Sequence, residues 1–556
     1  METTSSIPFV DQAKHGVVEA LKTPSAPFIT IILAILVLLL VHRIFQKRLK
    51  LPPGPRNLPI IGAMLSLDKE MHKSLAKHAE KYRPLLYFRL GALPMLAVQS
   101  AEVAEELFKQ RDLDFASRAH STILYTVAKY FGFEASGIGL APYTDKLKQL
   151  RKVCTQELLT GAKLAATVKV NVKHDIPYLT LPLYLLFTGP CLVDPVGRAG
   201  RDDQGAGESE WEGFRIERRT AHDGDEHHMQ NAFRKTLLRE VLSKEFHELV
   251  QGMLRTARNP NVGDLFPWLR WMDLQGLTKE FKALCDKQQL LMREIVEDHK
   301  KAREKSDKRL VSSASMDFID ILLSLEGEDK LSDWSIMATV NDLFLASTDA
   351  PLTIVQWAII ELIRHPEAMA KLQKELDDVV GNSRALQETD FSKTPFLIAV
   401  VKETLRLHPP FPLLLPRMNE KQTTLHGYDI PKNTTVFVNV YSIGRDKRKW
   451  EKANEFIPER FLSSNMNFNG NDSNYMPFGV GRRQCVAVNM GLLMTNRVLG
   501  SLVHAFEWLP QSGKTTEDID TENTYSLVLK PKHPLVCRAV PRIPRVDVYY
   551  DPQYAP

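Results

Sequence analysis

The chain carries its longest apolar run near the start. No Asp, Glu, Lys or Arg occurs between Thr23 and His42, and Phe28–Val41 reads "FITIILAILVLLLV". Those twenty uncharged residues match one bilayer crossing at about 1.5 Å per residue. Arg43, Lys47, Arg48 and Lys50 follow at once, and positive charge holds a flank on the cytoplasmic side. The pattern predicts a single-pass membrane anchor over residues 27–45, after an N-terminal segment 1–26, with the bulk of the chain in the cytosol. A cleaved signal peptide, the rival reading, has a shorter apolar core and a small-residue cleavage site. Leu51–Gly62, "LPPGPRNLPIIG", is punctuated by prolines, which fix φ and cannot continue a helix. Residues 46–62 therefore read as a basic, proline-rich hinge into a domain over 63–545, with a tail at 546–556.

Within that domain, apolar positions recur at helical spacing from about Met71 to Leu107. They are interrupted by "LLYFRLGALPMLAVQS", which alternates around a Gly-Ala-Leu-Pro turn and predicts a β-hairpin. Helical patterning dominates after about Asn231. Ser332–Glu367 predicts one very long helix, with Ser332 as N-cap and Pro366 as the stop. "TTLHGYDIPKNTTVFVNVYSIGRD" reads as a strand pair about a Gly-Tyr-Asp turn, and the last forty residues as short strands between prolines. The fold class is mainly α with a small β portion, without repeats. Val172–Gln230 does not fit: an apolar, proline-broken start gives way to a polar, Gly-rich stretch without period. This insert is either genuine or a mis-assembled piece of coding sequence.

Composition narrows the class. Of 556 residues, 44% are hydrophobic and 25% charged, and the net charge of +5 is too mild to argue for nucleic acid. The five cysteines (154, 191, 285, 485 and 537) are scattered and lack C-x-x-C spacing. A disulfide framework or zinc site is thereby disfavoured, and a reducing compartment favoured. His222, His227 and His228 with Asp223 and Asp225 lack helical or zinc-finger spacing, and read as a solvated charge run rather than a metal site.

One cysteine stands apart. "NYMPFGVGRRQCVAVNMG", Asn474–Gly491, sets Cys485 behind two glycines and two arginines, and ahead of an apolar run. Cations and a helix N-terminus both favour thiolate, and Gly479 and Gly481 allow a tight bend near a flat partner. A nucleophile needs a histidine base and none is local; a redox thiol usually has a resolving partner. Haem ligation draws on all of these features: thiolate, close backbone, and arginines for the propionates.

Phe478, Gly481, Arg483 and Cys485 match F-x-x-G-x-R-x-C, and by this signature the chain resembles the cytochrome P450 family; the signature's last glycine is Ala487 here. Three further motifs follow the family's order: Glu403 and Arg406 in "KETLR", Arg460 in "PERF", and "LPPGP" near the anchor. The resemblance is to plant-type microsomal members and covers nearly the whole chain outside 172–230. It implies a triangular helical prism with a small β domain, and haem b with Cys485 thiolate as axial ligand. It implies that Arg483, Arg417 and Arg151 meet the propionates, and that Glu403, Arg406 and Arg460 form a buried ion network. It further implies insertion of one oxygen atom from O2 using electrons from NADPH, delivered by NADPH-cytochrome P450 reductase on the Cys485 face, at the endoplasmic reticulum membrane.

The sequence also departs from the family. Where the long helix should read A/G-G-x-D/E-T-T, it has Ala346, Ser347, Thr348, Asp349, Ala350 and Pro351. Asp349 is the retained acid. Thr348 or Thr353, a bound water or a substrate hydroxyl could supply the missing hydroxyl, unless each threonine merely satisfies a backbone carbonyl. Pro351 should kink the helix. The family's W-x-x-x-R is Leu147 and Arg151 here, one propionate donor fewer. The intact cysteine loop favours a monooxygenase. A haem-thiolate isomerase or dehydratase working without reductase, and a haem protein without turnover, are the alternatives. Leu343, Phe344, Ala346, Phe411, Leu413, Leu414 and Tyr525–Leu527 are candidate walls for a small-to-medium apolar or aromatic substrate, although such residues are more often plain core packing than substrate contacts.

Overall fold

A computed structural model describes residues 49–118, 137–159, 193–195, 249, 252–253, 255–256, 261–305, 318–525, 528–533 and 535–543. The predicted anchor, the histidine-rich run, nearly all of 172–230 and the tail lie outside them. The chain separates into Met1–Leu51 and Pro52–Pro556, and all described helices and strands belong to the second unit. Among the described residues no helix is long and apolar enough to cross a membrane.

The helices that frame the site are α1 (Met71–Tyr82), α2 (Asp145–Val153), α3 (Leu277–Lys305), α4 (Asp333–Arg364), α5 (Pro366–Val380), α6 (Pro395–Leu407) and α7 (Val488–Ala505). The predicted long helix is α4, and its expected cap is in place: Ser332 Oγ accepts from the Ser335 N–H at 3.3 Å. It ends at Arg364 rather than Glu367, because His365 precedes a proline and is pushed out of the helical region. Pro366 then opens α5, where its missing N–H costs nothing.

The main sheet has strands β1 (Leu85–Leu90), β2 (Leu93–Val98), β3 (Ser117–Arg118), β4 (Arg417–Met418) and β5 (Thr435–Val438), in the order β1-β2-β5-β4-β3. β1 and β2 form the expected hairpin, but Leu90 pairs with Leu93, so the turn is Gly91-Ala92 alone. The second predicted strand pair divides. Thr423–Leu425 pairs with Tyr428–Ile430 about His426-Gly427, both at positive φ, the geometry that matches strand twist in two-residue hairpins. β5 instead lies parallel to β2, with Met95 opposite Thr435, and antiparallel to β4. Val440–Ile443 is a helical turn rather than strand.

Four helices fill the largest core: Trp357 and Ile360 of α4 share it with Leu372 of α5, Val400 of α6 and Leu499 of α7. Trp357 is fully buried. Its ring stacks on His408 at 4.0 Å, and its Nε1 donates to the Leu529 carbonyl at 2.9 Å, tying α4 to the strand Leu529–Pro531. Trp357→Ala is expected to destabilise the fold by about 3–5 kcal/mol. A thermal melt followed by circular dichroism checks this, and an unchanged midpoint would refute it.

Candidate active site around Cys485

The bend before Cys485 is set by two glycines in left-handed conformation, Gly479 at φ +68 and Gly481 at φ +76. At Gly481 the requirement is double, since a Cβ there would also stand 2.6 Å from Asp112 Oδ2. The Cys485 N–H returns to the Phe478 carbonyl at 3.1 Å. Phe478 packs edge-on against Phe468, their centroids 6.0 Å apart. α7 starts three residues after the cysteine, at Val488, so the thiol stands at the entry to a helix as its sequence suggested. Cys485 is exposed, yet burial pushes its thiol up, against the Ala487 N–H and the Arg151 charge. Accessible and desolvated together fit a sulfur opening onto a recess rather than bulk water.

Four guanidinium groups surround this loop. Arg151 of α2 donates from Nη2 to the Gln484 carbonyl at 2.7 Å. Arg483 donates from Nε to Ala116 O at 2.6 Å and from Nη2 to Ala141 O at 2.5 Å. Arg417 of β4 reaches Asp112 Oδ1 at 2.5 Å and Val480 O at 2.8 Å. Arg118 of β3 bonds the carbonyls of Gly139, Leu415 and Pro416. Arg118 and Arg417 are direct cross-strand partners, a like-charge pairing that is normally destabilising. Burial lowers the pKa of all four, that of Arg483 to about 9, and positive neighbours add to the lowering of three: Arg483, Arg417 and Arg151 act on Arg118, Arg417 and Arg151 on Arg483, and Arg151 on Arg417. Asp112 is the acid that hydrogen-bonds into this group, shared by Arg417 and Arg482. Buried Arg483 Nη1 has no hydrogen-bond partner among the described residues. A thiol beside an excess of buried cations, with one donor orphaned, is the donor set that a haem with two carboxylates fits.

Glu403, Arg406 and Arg460 come together beside the loop. Arg406 grips Glu403 in a fork, Nε to Oε2 and Nη2 to Oε1 both at 2.7 Å, with neither side chain exposed. Arg460 Nε adds a bond to Glu403 Oε1 at 3.0 Å. Arg406 also donates to the carbonyls of Gly444, Ala453 and Glu455. This one guanidinium therefore satisfies three carbonyls of irregular chain.

On α4, Asp349 Oδ2 pairs with Lys530 Nζ at 2.7 Å. Thr353 is buried and its hydroxyl donates to the Asp349 carbonyl at 2.8 Å. The side chains of Thr348, Phe344 and Tyr525–Leu527 lie outside the described residues. Leu413 sits in a core with Leu86, Phe88 and Ala97, whereas Ala346 is exposed. Leu147 is fully buried among Leu150, Val153 and Val340, so the position that lacks a polar donor is filled by apolar packing.

Residues 52–174 and 229–538 match the cytochrome P450 family. The chain is a cytochrome P450. It is 33% identical over 535 residues to a flavonoid 3'-monooxygenase of Petunia hybrida, covering 92% of this chain and 97% of that one. To a geraniol 8-hydroxylase of Catharanthus roseus it is 32% identical over 523 residues, covering 92% and 99%. A solved zebra fish cytochrome P450 with abiraterone superposes with a TM-score of 0.60 at 20% identity, covering 85% of this chain and all of that one. The match to the P450 family breaks off between residues 174 and 229, where the polar insert lies. This P450 belongs with plant enzymes named as monooxygenases and hydroxylases.

Arg118 and Asp112 escaped the sequence reading of this P450. The only local hint was an arginine at the end of "DFASR", and its place beside the cysteine loop exists only once β3 pairs with β4. Truncating Glu403 to alanine strands two cations, one of them fully buried. The expected loss is about 3–5 kcal/mol. Urea titration of the purified P450 measures it, and a loss below about 1 kcal/mol would reduce the network to a surface-type ion pair.

Proposed function

We propose that this P450 is a membrane-anchored monooxygenase that inserts one oxygen atom from O2 into a small-to-medium apolar or aromatic metabolite. Haem b, held by the Cys485 thiolate, would supply oxygen activation; two electrons from NADPH and two protons send the second oxygen to water. Arg151, Arg417 and Arg483, joined by Arg118, would bind its two carboxylates. The observation that carries this reading is the cationic shell about an accessible cysteine in the F-x-x-G-x-R-x-C bend. Phe478 and Gly481 shape the bend. Glu403, Arg406 and Arg460 hold the chain behind it.

Asp349 is the acid we assign to proton handling on the oxygen side. Its carboxylate is paired with Lys530, a cation that could exchange protons with it, whereas Ala350 has no hydroxyl and the Thr353 hydroxyl donates to a backbone carbonyl. Thr348 retains its assignment as the alternative hydroxyl. These same two facts favour a second reading, a haem-thiolate isomerase or dehydratase that needs no reductase. The named relatives favour the first. The flavonoid and geraniol in those relatives' names suit a pocket for aromatic or apolar molecules, with Leu343, Ala346, Phe411 and Leu414 as wall candidates.

The reductase would dock on the Cys485 face. The anchor at 27–45 would place the enzyme on the endoplasmic reticulum membrane, with the catalytic domain cytosolic. Exposed Ile60, Leu65, Trp268 and Trp271 support lipid contact, since apolar and tryptophan side chains favour the bilayer interface. The segments meet through Gly91 N–H on Ile61 O and Ala92 N–H on Leu265 O.

Reduced protein under carbon monoxide is expected to show the thiolate-type Soret band, and Cys485→Ser to lose it together with NADPH- and reductase-dependent oxidation of a metabolite panel. Persistence of band and turnover in Cys485→Ser would overturn the assignment, and turnover of hydroperoxides or oximes without NADPH would select the second reading. The full chain expressed in microsomes is expected to stay in the pellet after alkaline carbonate washing; release into the supernatant would remove the anchor.

A further inference from the structure

Asp342 lies on α4, two helical turns before Asp349, and takes no part in the chemistry assigned above. Part of the residue is accessible, but its carboxyl is enclosed, and burial pushes it up to about 6 against hydrogen bonds from the backbone N–H groups of Gly139 and Ile138. Those two N–H donors favour its ionised form. The Gly139 N–H reaches Oδ2 at 2.8 Å. The approach is so close that a Cβ on Gly137, at φ +68, would stand 2.3 Å from the same oxygen. The carboxylate seats directly on the backbone of Gly137–Leu140, a short helical turn.

The other edge of that turn faces the cysteine loop. Gly139 O accepts Arg118 Nε at 2.9 Å, and Ala141 O accepts Arg483 Nη2 at 2.5 Å. One five-residue bridge thus has its N–H groups on Asp342 and its carbonyls on two of the four cationic side chains around Cys485.

Resting on the haem reading above, we propose that Asp342 is a positioning residue for the cofactor. Through Gly137–Ala141 it fixes Arg118 and Arg483 where they meet the haem carboxylates. Groups that orient a ligand's direct partners typically change its retention 10- to 100-fold when removed. A side chain that merely stabilised α4 would instead lower stability without acting through Arg118.

The test is haem transfer from the holoprotein to an excess of apomyoglobin, for the wild type, Asp342→Asn, Arg118→Met and the double variant. Asp342→Asn keeps the shape and removes the charge. It is expected to speed haem loss about tenfold, with the double variant no faster than the faster single one. Unchanged haem loss in Asp342→Asn, or effects that multiply in the double variant, would overturn the proposal. If Asp342→Asn does not fold, hydrogen exchange on the wild type decides. The Ile138 and Gly139 amides should exchange at least about tenfold more slowly with haem than without, and equal rates would refute the link. A wild type that takes up no haem defeats the haem reading itself; a wild type that holds haem, with Asp342→Asn holding it equally well, defeats this inference alone.

Discussion

Like charges gathered inside a protein need a counterion. Arg118, Arg151, Arg417 and Arg483 are drawn together by a sheet pairing, a helix and a glycine bend, and Asp112 is their one hydrogen-bonded carboxylate among the described residues. Burial alone would disfavour each cation, and mutual repulsion compounds it. The fold nevertheless holds three of the four by two or more bonds to carbonyls or carboxylate. Such a cluster is stable in proportion to the negative charge it shares, which ties the local architecture to an anionic partner of fixed shape. The thiol ahead of α7 would supply a second attachment, and the two together suit the haem that the cytochrome P450 family implies.

Behind the loop, the Glu403–Arg406–Arg460 assembly solves a different problem. The chain from Gly444 to Ile457 is mostly turn, and buried turns leave carbonyls without partners. Arg406 takes three of those carbonyls, while Glu403 accepts the Ile457 N–H at 2.9 Å. A hydrophobic substitute would pack but could not satisfy irregular backbone. The buried ion pair is thus explained by its hydrogen bonds more than by its Coulomb energy.

What the sequence disclosed was local. Ser332 and Pro366 bracket α4 because capping and proline act within a few residues. The cysteine bend was legible because its glycines, arginines and thiol sit within eight positions. The residues that were missed work across long separations: Asp112 to Arg417 spans 305 positions, Gly139 to Asp342 spans 203, and Ala116 to Arg483 spans 367. No periodicity reports such pairings. β5 was misassigned to a local pair for the same reason, since its partner β2 lies over three hundred residues earlier. Thr353 shows a subtler limit: a hydroxyl on a helix is equally able to face a ligand or its own backbone, and only coordinates distinguish the two.

The cross-strand pair of Arg118 and Arg417 has a consequence for this corner of the sheet. β3 and β4 are two residues each, too short to hold two facing guanidiniums together without help. That help comes from the carbonyls of Gly139, Leu415, Pro416 and Val480 and from Asp112, which hold the two side chains where the strand pairing cannot. An anionic ligand seated against them would add to that hold, because binding to the native state alone raises the folded fraction by mass action.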